Sequence, residues 1–376
     1  MKPIPPRFTE LDTEALCDAI RTAKTDLGKD LVILGHHYQR DEVIQFADIR
    51  GDSLKLSQFA AEQRDARHIV FCGVHFMAES ADVLSDASQT VYLPNLGAGC
   101  AMADMADDDA VAAAIEEVGE LAGEATVVPI TYVNSAAVTK ALTAKAGGAC
   151  CTSSNVRNVF EWALRRADQG GAGGRKVLAI PDEHLATNTA ADMGYDQPGD
   201  VVIYEPHKPA GGLTAEQVAA ANVICWKGYC HVHQVFTPQA IDDIRAAEPD
   251  VTVIVHPECP RAVVARADLA GSTSQIINAI ADAPAGSSWA VGTEGNLVRR
   301  LAAQNPDKDI RVLGDRPAAC WQMAMIDLPY LLWTLTAILE GEPVNEVHVD
   351  SAVADDARLA LQRMIDIKAV EGPSGK

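Results

Sequence analysis

The sequence predicts an α/β protein with three similar three-layer αβα domains, each containing a parallel sheet. Short apolar runs alternate with helical segments along most of the 376 residues, a pattern typical of βαβ units. The same order of elements recurs three times, which indicates an internal repeat. The spacing agrees in two copies, because 64 residues separate His36 from Cys100 and also His256 from Cys320. We therefore expect a pseudo-threefold arrangement around a common centre.

The first copy begins after a helix predicted over residues 13–27, with Asp12 or Thr13 as its N-cap. The strands predicted in this copy are residues 31–34, 68–72 and 90–94. The last of them opens onto a loop that contains Cys100.

The second and third copies repeat this order. Their predicted strands are residues 126–130, 176–180 and 223–226, and then 251–255, 287–291 and 310–314. The second copy is longer, and its extra length is assigned to residues 143–149, 169–174 and 186–200. The predicted domains are residues 1–98 together with C-terminal helices in 322–376, residues 99–228, and residues 229–321.

The charge and the terminal sequence exclude several classes of function. Lysine and arginine total 31 against 52 acidic residues, a net charge of −21, which disfavours binding to nucleic acid or to an anionic membrane. No apolar run approaches the roughly 18 residues of a membrane helix, and the first ten residues lack the apolar core of a signal peptide. We expect a cytoplasmic protein whose partners are small molecules.

Polar side chains follow the predicted strands in every copy. They are His36, Tyr38, Tyr132, Asn134, His256 and Glu258. Right-handed crossovers place all strand ends of a parallel unit on one side, so these side chains can share a pocket. Histidine and glutamate could move protons there, while tyrosine and asparagine could orient a carbonyl or carboxylate group.

Three predicted helices begin with hydroxyl side chains. The pairs are Asp52-Ser53, Ser153-Ser154 and Ser272-Thr273. Each pair can supply an N-cap, and free N–H groups at the same helix starts can bind anionic oxygens. Both roles can hold at one residue, which would give an acidic protein local sites for carboxylate and phosphate.

The nine cysteines, an odd number in a chain without an export signal, favour thiols or metal ligands over disulfides. Ordinary structural thiols are predicted for Cys17, Cys72 and Cys225. Cys150, Cys151 and Cys259 lie near predicted loops and could have a redox or supporting role, although their positions do not match across the repeats. Cys100, Cys230 and Cys320 occupy the same position in each repeat, which predicts a shared metal centre.

The number of these cysteines bears on the kind of metal. Three thiolates without a close CxxC pair are unusual for structural zinc, and they suit a [4Fe–4S] cluster that keeps one iron open as a Lewis acid. Taken alone, Cys230 also permits a local zinc site with His231 or His233 as co-ligand. The three equivalent cysteines favour the cluster and leave His233 on the substrate side.

An ordered set of motifs carries a family resemblance. The motifs are GHHYQ, GDS, GVHFMAES, GCAMAD, TYVNS, CTSSN, WKGYCHVH, HPEC, GST and GTEGN. Together, over about residues 31–335, they resemble quinolinate synthase, the A protein of bacterial NAD biosynthesis. The resemblance implies an oxygen-sensitive [4Fe–4S] cluster and the condensation of iminoaspartate (iminosuccinate) with dihydroxyacetone phosphate to quinolinate, with loss of phosphate and two waters. It also implies functional coupling to an enzyme that produces iminoaspartate.

The resemblance also implies residue roles. The cluster ligands would be Cys100, Cys230 and Cys320. The substrate-binding residues would be His36, Ser53, Tyr132, Val133, Asn134, Ser153, His256, Pro257, Glu258 and Thr273. The catalytic residues would be His36, Tyr38, Tyr132, His233 and Glu258, with Glu258 as the proton-transfer carboxylate. The choice of Ser153 over Ser154 stays open, because the second copy carries the insertion.

One motif departs from the family pattern, and two other functions stay open. Some members have a CxxCxxC cluster around the third ligand, whereas this chain has Cys320 alone in RPAAC. The alternative functions are another [4Fe–4S] hydro-lyase and a non-enzymatic iron–sulfur sensor. The acidic charge argues against a sensor that binds nucleic acid.

Overall fold

The computed structural model describes residues 2–165, 174–368 and 374–375. It divides into two compact units. The first comprises Met1–Cys100 and Ala319–Ser351, and the second comprises Ala101–Ala318 and Ala352–Lys376. The first unit contains one five-stranded sheet and the second contains two.

The strands of the described chain are, in order, β1 (Leu31–His36), β2 (Ile49–Gly51), β3 (His68–Cys72), β4 (Thr90–Tyr92), β5 (Thr126–Tyr132), β6 (Ala149–Cys151), β7 (Arg175–Ile180), β8 (Val201–Tyr204), β9 (Val223–Trp226), β10 (Thr252–Val255), β11 (Leu269–Ala270), β12 (Ser288–Gly292), β13 (Asp309–Val312), β14 (Glu346–Val347) and β15 (Ser374–Gly375).

The α-helices are α1 (Pro6–Thr9), α2 (Thr13–Leu27), α3 (Asp41–Ile44), α4 (Ser53–Glu62), α5 (His75–Leu84), α6 (Ala101–Asp104), α7 (Asp108–Ala122), α8 (Ala137–Lys145), α9 (Val156–Arg165), α10 (Glu183–Asp192), α11 (Ala215–Ala220), α12 (Pro238–Ala247), α13 (Arg261–Val264), α14 (Thr273–Asp282), α15 (Gly295–Gln304), α16 (Leu328–Leu339) and α17 (Ser351–Asp366). Short 3₁₀ helices occupy Gly28–Asp30, Pro209–Gly212, His233–Val235 and Met323–Met325.

The three sheets share one core order. It reads β4-β3-β1-β2 in the first sheet, β9-β7-β5-β6 in the second and β13-β12-β10-β11 in the third. All pairs within these cores are parallel. The predicted α/β class and the threefold repeat are therefore confirmed.

The fifth strand differs from sheet to sheet. In the first it is β14, antiparallel to β4, and in the third it is β15, antiparallel to β11. In the second it is β8, parallel to β9. Part of the extra length of the second copy thus forms strand β8, which begins directly after the predicted insertion at residues 186–200. The first part of that predicted insertion belongs to helix α10. Most of the predicted 169–174 insertion lies outside the described residues.

The apolar runs form strands because both faces of each parallel sheet are covered. Every residue of β1 is buried, as is every residue of β9. Helix α2 begins where it was predicted, and the Asp12 side chain accepts a hydrogen bond from the Ala15 amide at 2.9 Å. Strand β9 matches the prediction at both ends, whereas β4 ends two residues early and β5 continues to Tyr132.

The C-terminal tail divides between the units. Helix α16 lies in the first unit, and residues from Ala352 onward lie in the second. There, Asn155 Nδ2 donates hydrogen bonds to the carbonyls of Met364 and Ile367 at 2.9 and 3.0 Å. The sequence assigned all of 322–376 to the first domain, and the three predicted domain boundaries stay a prediction. Among the described residues, no helix combines the length and the apolar character needed to cross a membrane.

Candidate active site

Three strand-end side chains meet inside the second unit. Tyr132 ends β5, Glu258 lies three residues beyond β10, and His233 opens a 3₁₀ helix after β9. The Tyr132 hydroxyl donates to Glu258 Oε1 at 2.5 Å, and His233 Nδ1 lies 3.0 Å from Glu258 Oε2. Only 3% of Glu258 and 1% of His233 is exposed. Tyr132 therefore forms one buried polar cluster with two residues that lie more than 100 positions later in the chain.

His256 completes this cluster. Its ring stacks on that of His233, with centroids 4.5 Å apart and planes inclined by 16°. Its Nδ1 accepts a hydrogen bond from the Glu258 amide at 3.3 Å and lies 3.8 Å from Glu258 Oε1. The Glu258 carboxylate thus lies beside two imidazoles and one phenol.

These neighbours determine the charge of Glu258. Burial alone would raise its pKa, but the positive charges available at His256 and His233, together with the Tyr132 hydroxyl, lower the pKa to about 2. Glu258 is therefore a carboxylate at neutral pH.

Asp182 is a second buried carboxyl group, and the sequence did not assign it a role. It follows β7, it is 3% exposed, and its Oδ1 caps α10 by accepting from the Leu185 amide at 2.6 Å. Burial, and then the negative charge of Glu258, raise the pKa of Asp182 well above its usual value. Asp182 therefore keeps its proton to higher pH than an ordinary aspartate, whereas Glu258 loses its proton at lower pH than an ordinary glutamate. Two carboxyl groups whose pKa values are pushed apart in this way are typical of acid/base sites.

A search for polar side chains directly after predicted strands would also have found Asp182, because this residue belongs to the segment Pro-Asp-Glu-His that follows β7. His184 lies in the same segment, and burial lowers its pKa. Thr293, in the GTEGN motif, is fully buried, and its Oγ1 lies 3.4 Å from His233 Nε2. No role had been assigned to it either.

The strand β9 anchors the loop that carries Cys230 and His233. Trp226 stacks on Tyr204, with ring centroids 5.6 Å apart, and its Nε1 donates to the Met105 carbonyl at 3.0 Å. A Cβ atom at Gly228 would lie 2.3 Å from the Pro181 carbonyl oxygen, so only glycine fits this turn. The turn thus packs against the segment that contains Asp182.

The predicted anion-binding helix starts contact each other in the second unit. Ser154 Oγ donates to Ser272 Oγ at 3.0 Å, and Ser272 forms a capping box with Gln275 at the start of α14. Ser154 is buried, whereas Ser153 is partly exposed and lines a cleft of about 600 Å³. Ser153 and Ser154 both line this cleft. The substrate-binding roles of Ser153 and of the buried Thr273 stay predictions.

The TYVNS and HPEC turns present three further predicted residues. Val133 is buried, and its amide donates to the Cys151 carbonyl at 2.8 Å. The Pro257 carbonyl accepts from Asn188 at 2.8 Å. Within the described chain, Asn134 Oδ1 is buried and has no hydrogen-bond partner. An acceptor of that kind is suited to a polar ligand.

The remaining predicted side chains lie in the first unit. His36 ends β1 and is buried, its ring contacts Tyr38 edge-on at 4.7 Å, and its Nδ1 accepts from the Tyr38 amide at 3.2 Å. Ser53 begins α4, directly after Asp52, whose side chain accepts from the Lys55 amide at 3.0 Å. Their roles toward substrate stay predictions.

The nine cysteines all lie among the described residues, and they form a buried group and a partly exposed group. The buried ones are Cys17, Cys72, Cys150, Cys151, Cys225 and Cys259, and the partly exposed ones are Cys100, Cys230 and Cys320. Burial raises the pKa of the Cys72 and Cys150 thiols to about 12, so they stay protonated. The three accessible thiols are those predicted as ligands, and they lie in the loops that follow β4, β9 and β13, respectively. This donor set fits an iron–sulfur cluster.

Cys230 also belongs to a compact group within the second unit. One potential ligand atom each from Cys230, His233 and Glu258 lies within 4.8 Å of the other two. These three side chains could hold a metal ion.

Known proteins resemble the chain over nearly its whole length. The family model described as quinolinate synthetase A protein matches residues 18–366. A quinolinate synthase from a Nocardioides species is 50% identical over 364 residues, or 96% of this chain and 91% of the relative. One from Streptomyces coelicolor is 51% identical over 92% and 86% of the two chains, and one from Bacillus anthracis is 46% identical over 96% of both. The chain therefore belongs to the quinolinate synthase family of enzymes.

Proposed function

We propose that this enzyme condenses iminoaspartate with dihydroxyacetone phosphate to quinolinate, releases phosphate and two waters, and thereby serves NAD biosynthesis. Membership of the family supports the reaction. The observation that carries the proposal is the buried cluster of Tyr132, His233, His256 and Glu258, together with Asp182, whose pKa is raised by burial and by the charge of Glu258. A condensation followed by dehydrations needs several proton transfers, and this cluster contains donors and acceptors for them.

Glu258 is the proposed centre of proton transfer. Because it is ionised at neutral pH, it can stabilise positive charge on His233 or His256 when either imidazole takes up a proton. The Tyr132 hydroxyl fixes Oε1 of the carboxylate. The raised pKa of Asp182 suits this side chain to act as an acid. We propose that His36 and Tyr38 take part in the remaining proton transfers.

The substrates are anions, whereas the chain carries a net charge of −21. Binding must therefore depend on local donors. We propose that the starts of α4, α9 and α14 supply them through free N–H groups and through Ser53, Ser153 and Thr273. Asn134 and the His256-Pro257 segment would orient the carboxylate or carbonyl groups of the substrate.

We propose that Cys100, Cys230 and Cys320 hold a [4Fe–4S] cluster. When bound, such a cluster supplies a Lewis acid at the iron without a protein ligand, which assists loss of hydroxyl groups as water. The accessibility of these three thiols, against the burial of the other six, supports this choice of ligands.

We also propose a cytoplasmic location and functional coupling to an enzyme that produces iminoaspartate. The family resemblance supports the coupling, because an imine hydrolyses in water and must be used soon after it forms.

The direct test uses anaerobically purified protein with a reconstituted cluster. Freshly generated iminoaspartate and dihydroxyacetone phosphate should give quinolinate and phosphate in equal amounts. Glu258→Gln keeps the size of the side chain but cannot take up a proton, so it should still bind substrate while turnover falls by about 10²–10⁴-fold. Absence of quinolinate from the cluster-loaded wild type would refute the proposed reaction, and near-normal turnover of the variant would refute the role of Glu258.

A further inference from the structure

We propose that, in the cluster-free protein, Cys230, His233 and Glu258 bind one divalent transition-metal ion of the Zn²⁺ class, and that this ion competes with cluster assembly. The site belongs to the second unit alone. Only the competition, and not the ion site, rests on the proposed cluster.

The positions of the donor atoms carry the proposal. His233 Nδ1 and Glu258 Oε2 are 3.0 Å apart, yet within the described chain Nδ1 has no partner with hydrogen-bond geometry. A sulfur of Cys230 lies within 4.8 Å of both side chains' donor atoms. Around a tetrahedral zinc ion, whose bonds are about 2.0–2.3 Å long, ligand atoms lie roughly 3–4 Å apart. Two donor atoms that are close together but poorly aligned as a hydrogen bond resemble neighbouring ligands of one ion.

The backbone holds Cys230 and His233 on one turn. The His233 amide donates to the Cys230 carbonyl at 3.1 Å, and the Gln234 amide approaches the same carbonyl at 3.3 Å. Residues that are three positions apart on such a turn project to the same side. This turn therefore brings the thiol and the imidazole together without any rearrangement of the chain.

Other contacts orient the imidazole and the carboxylate. His233 Nε2 lies 3.4 Å from Thr293 Oγ1, which leaves Nδ1 directed toward Glu258. Tyr132 occupies Oε1 of the carboxylate and leaves Oε2 for the ion. Asn188 Nδ2 holds the turn around Glu258 through the carbonyls of Pro257 and Cys259, at 2.8 and 2.9 Å. Partners of this kind are typical around metal ligands.

Charge and donor type select the ion. A thiolate and a carboxylate together balance a dication, which matters because His233 and Glu258 are almost fully buried. A set of sulfur, nitrogen and oxygen donors suits Zn²⁺, whereas Mg²⁺ and Ca²⁺ prefer oxygen alone. Three protein ligands leave the fourth position to water, as in open zinc sites.

The test measures zinc binding to the cluster-free, reduced, full-length chain without an affinity tag. Zn²⁺ is titrated under anaerobic conditions against a chromophoric chelator. We expect one tightly bound ion per chain. His233→Ala and Glu258→Gln each alter a proposed ligand and should weaken zinc affinity by more than about 10–100-fold. A loss of roughly that size is typical when a residue that only hydrogen-bonds to a metal ligand is removed.

The matched control is the double variant Cys100→Ala/Cys320→Ala, which should keep the wild-type affinity for zinc. If the double variant loses zinc while His233→Ala retains it, the ion is bound by the cluster cysteines and the proposal is wrong. If none of these variants changes the affinity, the zinc is adventitious and the proposal is equally wrong. Circular dichroism of each variant verifies that it is folded.

Cobalt provides a second readout that does not depend on stability. Co²⁺ added to the wild type should give a thiolate-to-metal charge-transfer band, and the band should disappear in Cys230→Ala but persist in the double variant. A band that survives in Cys230→Ala would overturn the proposal.

Competition is tested by reconstitution with iron and sulfide after loading with one equivalent of Zn²⁺. Cluster yield should fall in the wild type and should be unaffected by zinc in His233→Ala. An unchanged yield in the zinc-loaded wild type would refute the competition. These readouts do not involve quinolinate, so failure of the proposed reaction would leave the zinc result intact.

Discussion

Asp182→Asn should make the protein more stable at neutral pH. In the native protein the pKa of Asp182 is raised well above its ordinary value by burial and by Glu258. From about pH 4 upward, the unfolded chain releases this proton while the folded protein retains it, so stability falls as pH rises. Asparagine keeps the Oδ1 atom that caps α10 through the Leu185 amide, and it has no proton to release.

The magnitude follows from the linkage between protonation and folding. Each pH unit between the ordinary pKa of aspartate and the raised native pKa costs the wild type about 1.4 kcal/mol relative to the variant, so two units cost about 2.7 kcal/mol. The measurement is urea unfolding of both proteins across this pH range. Because Asp182 is 3% exposed, solvent does not screen the effect.

Glu183→Gln is the matched control for Asp182→Asn. It removes a carboxyl group from the next residue, which is only partly buried, so the difference from the wild type should change much less with pH. A stability difference between Asp182→Asn and the wild type that is constant across the range would refute the reasoning, because it would mean that Asp182 is ionised in the folded protein.

Three further predictions concern contacts of the same site. Tyr132→Phe removes a hydrogen bond to the Glu258 carboxylate, worth about 1.5–3 kcal/mol, and should raise the pKa of Glu258 by roughly 1–2 units. The acid limb of the pH–activity profile should therefore move to higher pH. An acid limb that does not move would contradict the stabilisation of the Glu258 carboxylate by Tyr132. Since a lowered carboxyl pKa stabilises the fold above the ordinary pKa and the stabilisation is lost as pH falls, this variant should also lose stability at neutral pH relative to acid pH. Asn188→Ala leaves the carbonyls of Pro257 and Cys259 without their donor and should cost about 2–4 kcal/mol in urea unfolding; a cost below about 0.5 kcal/mol would show that these bonds do not hold the turn. A double-mutant cycle of Ser154→Ala and Ser272→Ala should give a coupling energy of about 1 kcal/mol, and strict additivity would argue against their contact.

The alternation of short apolar runs with helical segments predicted the α/β class and the threefold repeat of this fold. Strand β9 was predicted to the residue, because a run of four apolar residues bounded by turn residues forms a strand buried on both faces. The short strands β2, β6 and β11 were not predicted, because segments of two or three residues carry no periodicity. Each pairs with the first strand of its repeat and forms only where that strand is already in place. Strand β8 was also missed; it begins directly after residues 186–200, which were interpreted as a polar insertion.

The sequence predicted which polar residues follow the strands, but not the pKa values that their contacts produce, and the roles assigned to these residues stay predictions. Position after a strand identified Tyr132, His233 and Glu258, which the structure brings together. The raised pKa of Asp182 depends on its burial and on the charge of Glu258, about 76 residues away in the chain, and no sequence spacing reports that interaction. The contact of Ser154 with Ser272 likewise joins residues that are 118 positions apart in the chain, and no sequence spacing reports it.

The most direct test of the central claim compares cysteine variants of anaerobically reconstituted protein by iron content, by visible and paramagnetic spectra, and by quinolinate formation. Alanine replaces Cys100, Cys230 and Cys320 one at a time, and Cys17→Ala, at a buried cysteine in α2, is the control. We expect the wild type and Cys17→Ala to hold a [4Fe–4S] cluster and to form quinolinate, and each of the other three variants to lose both. A Cys230→Ala protein that retained the cluster and quinolinate formation would contradict the claim.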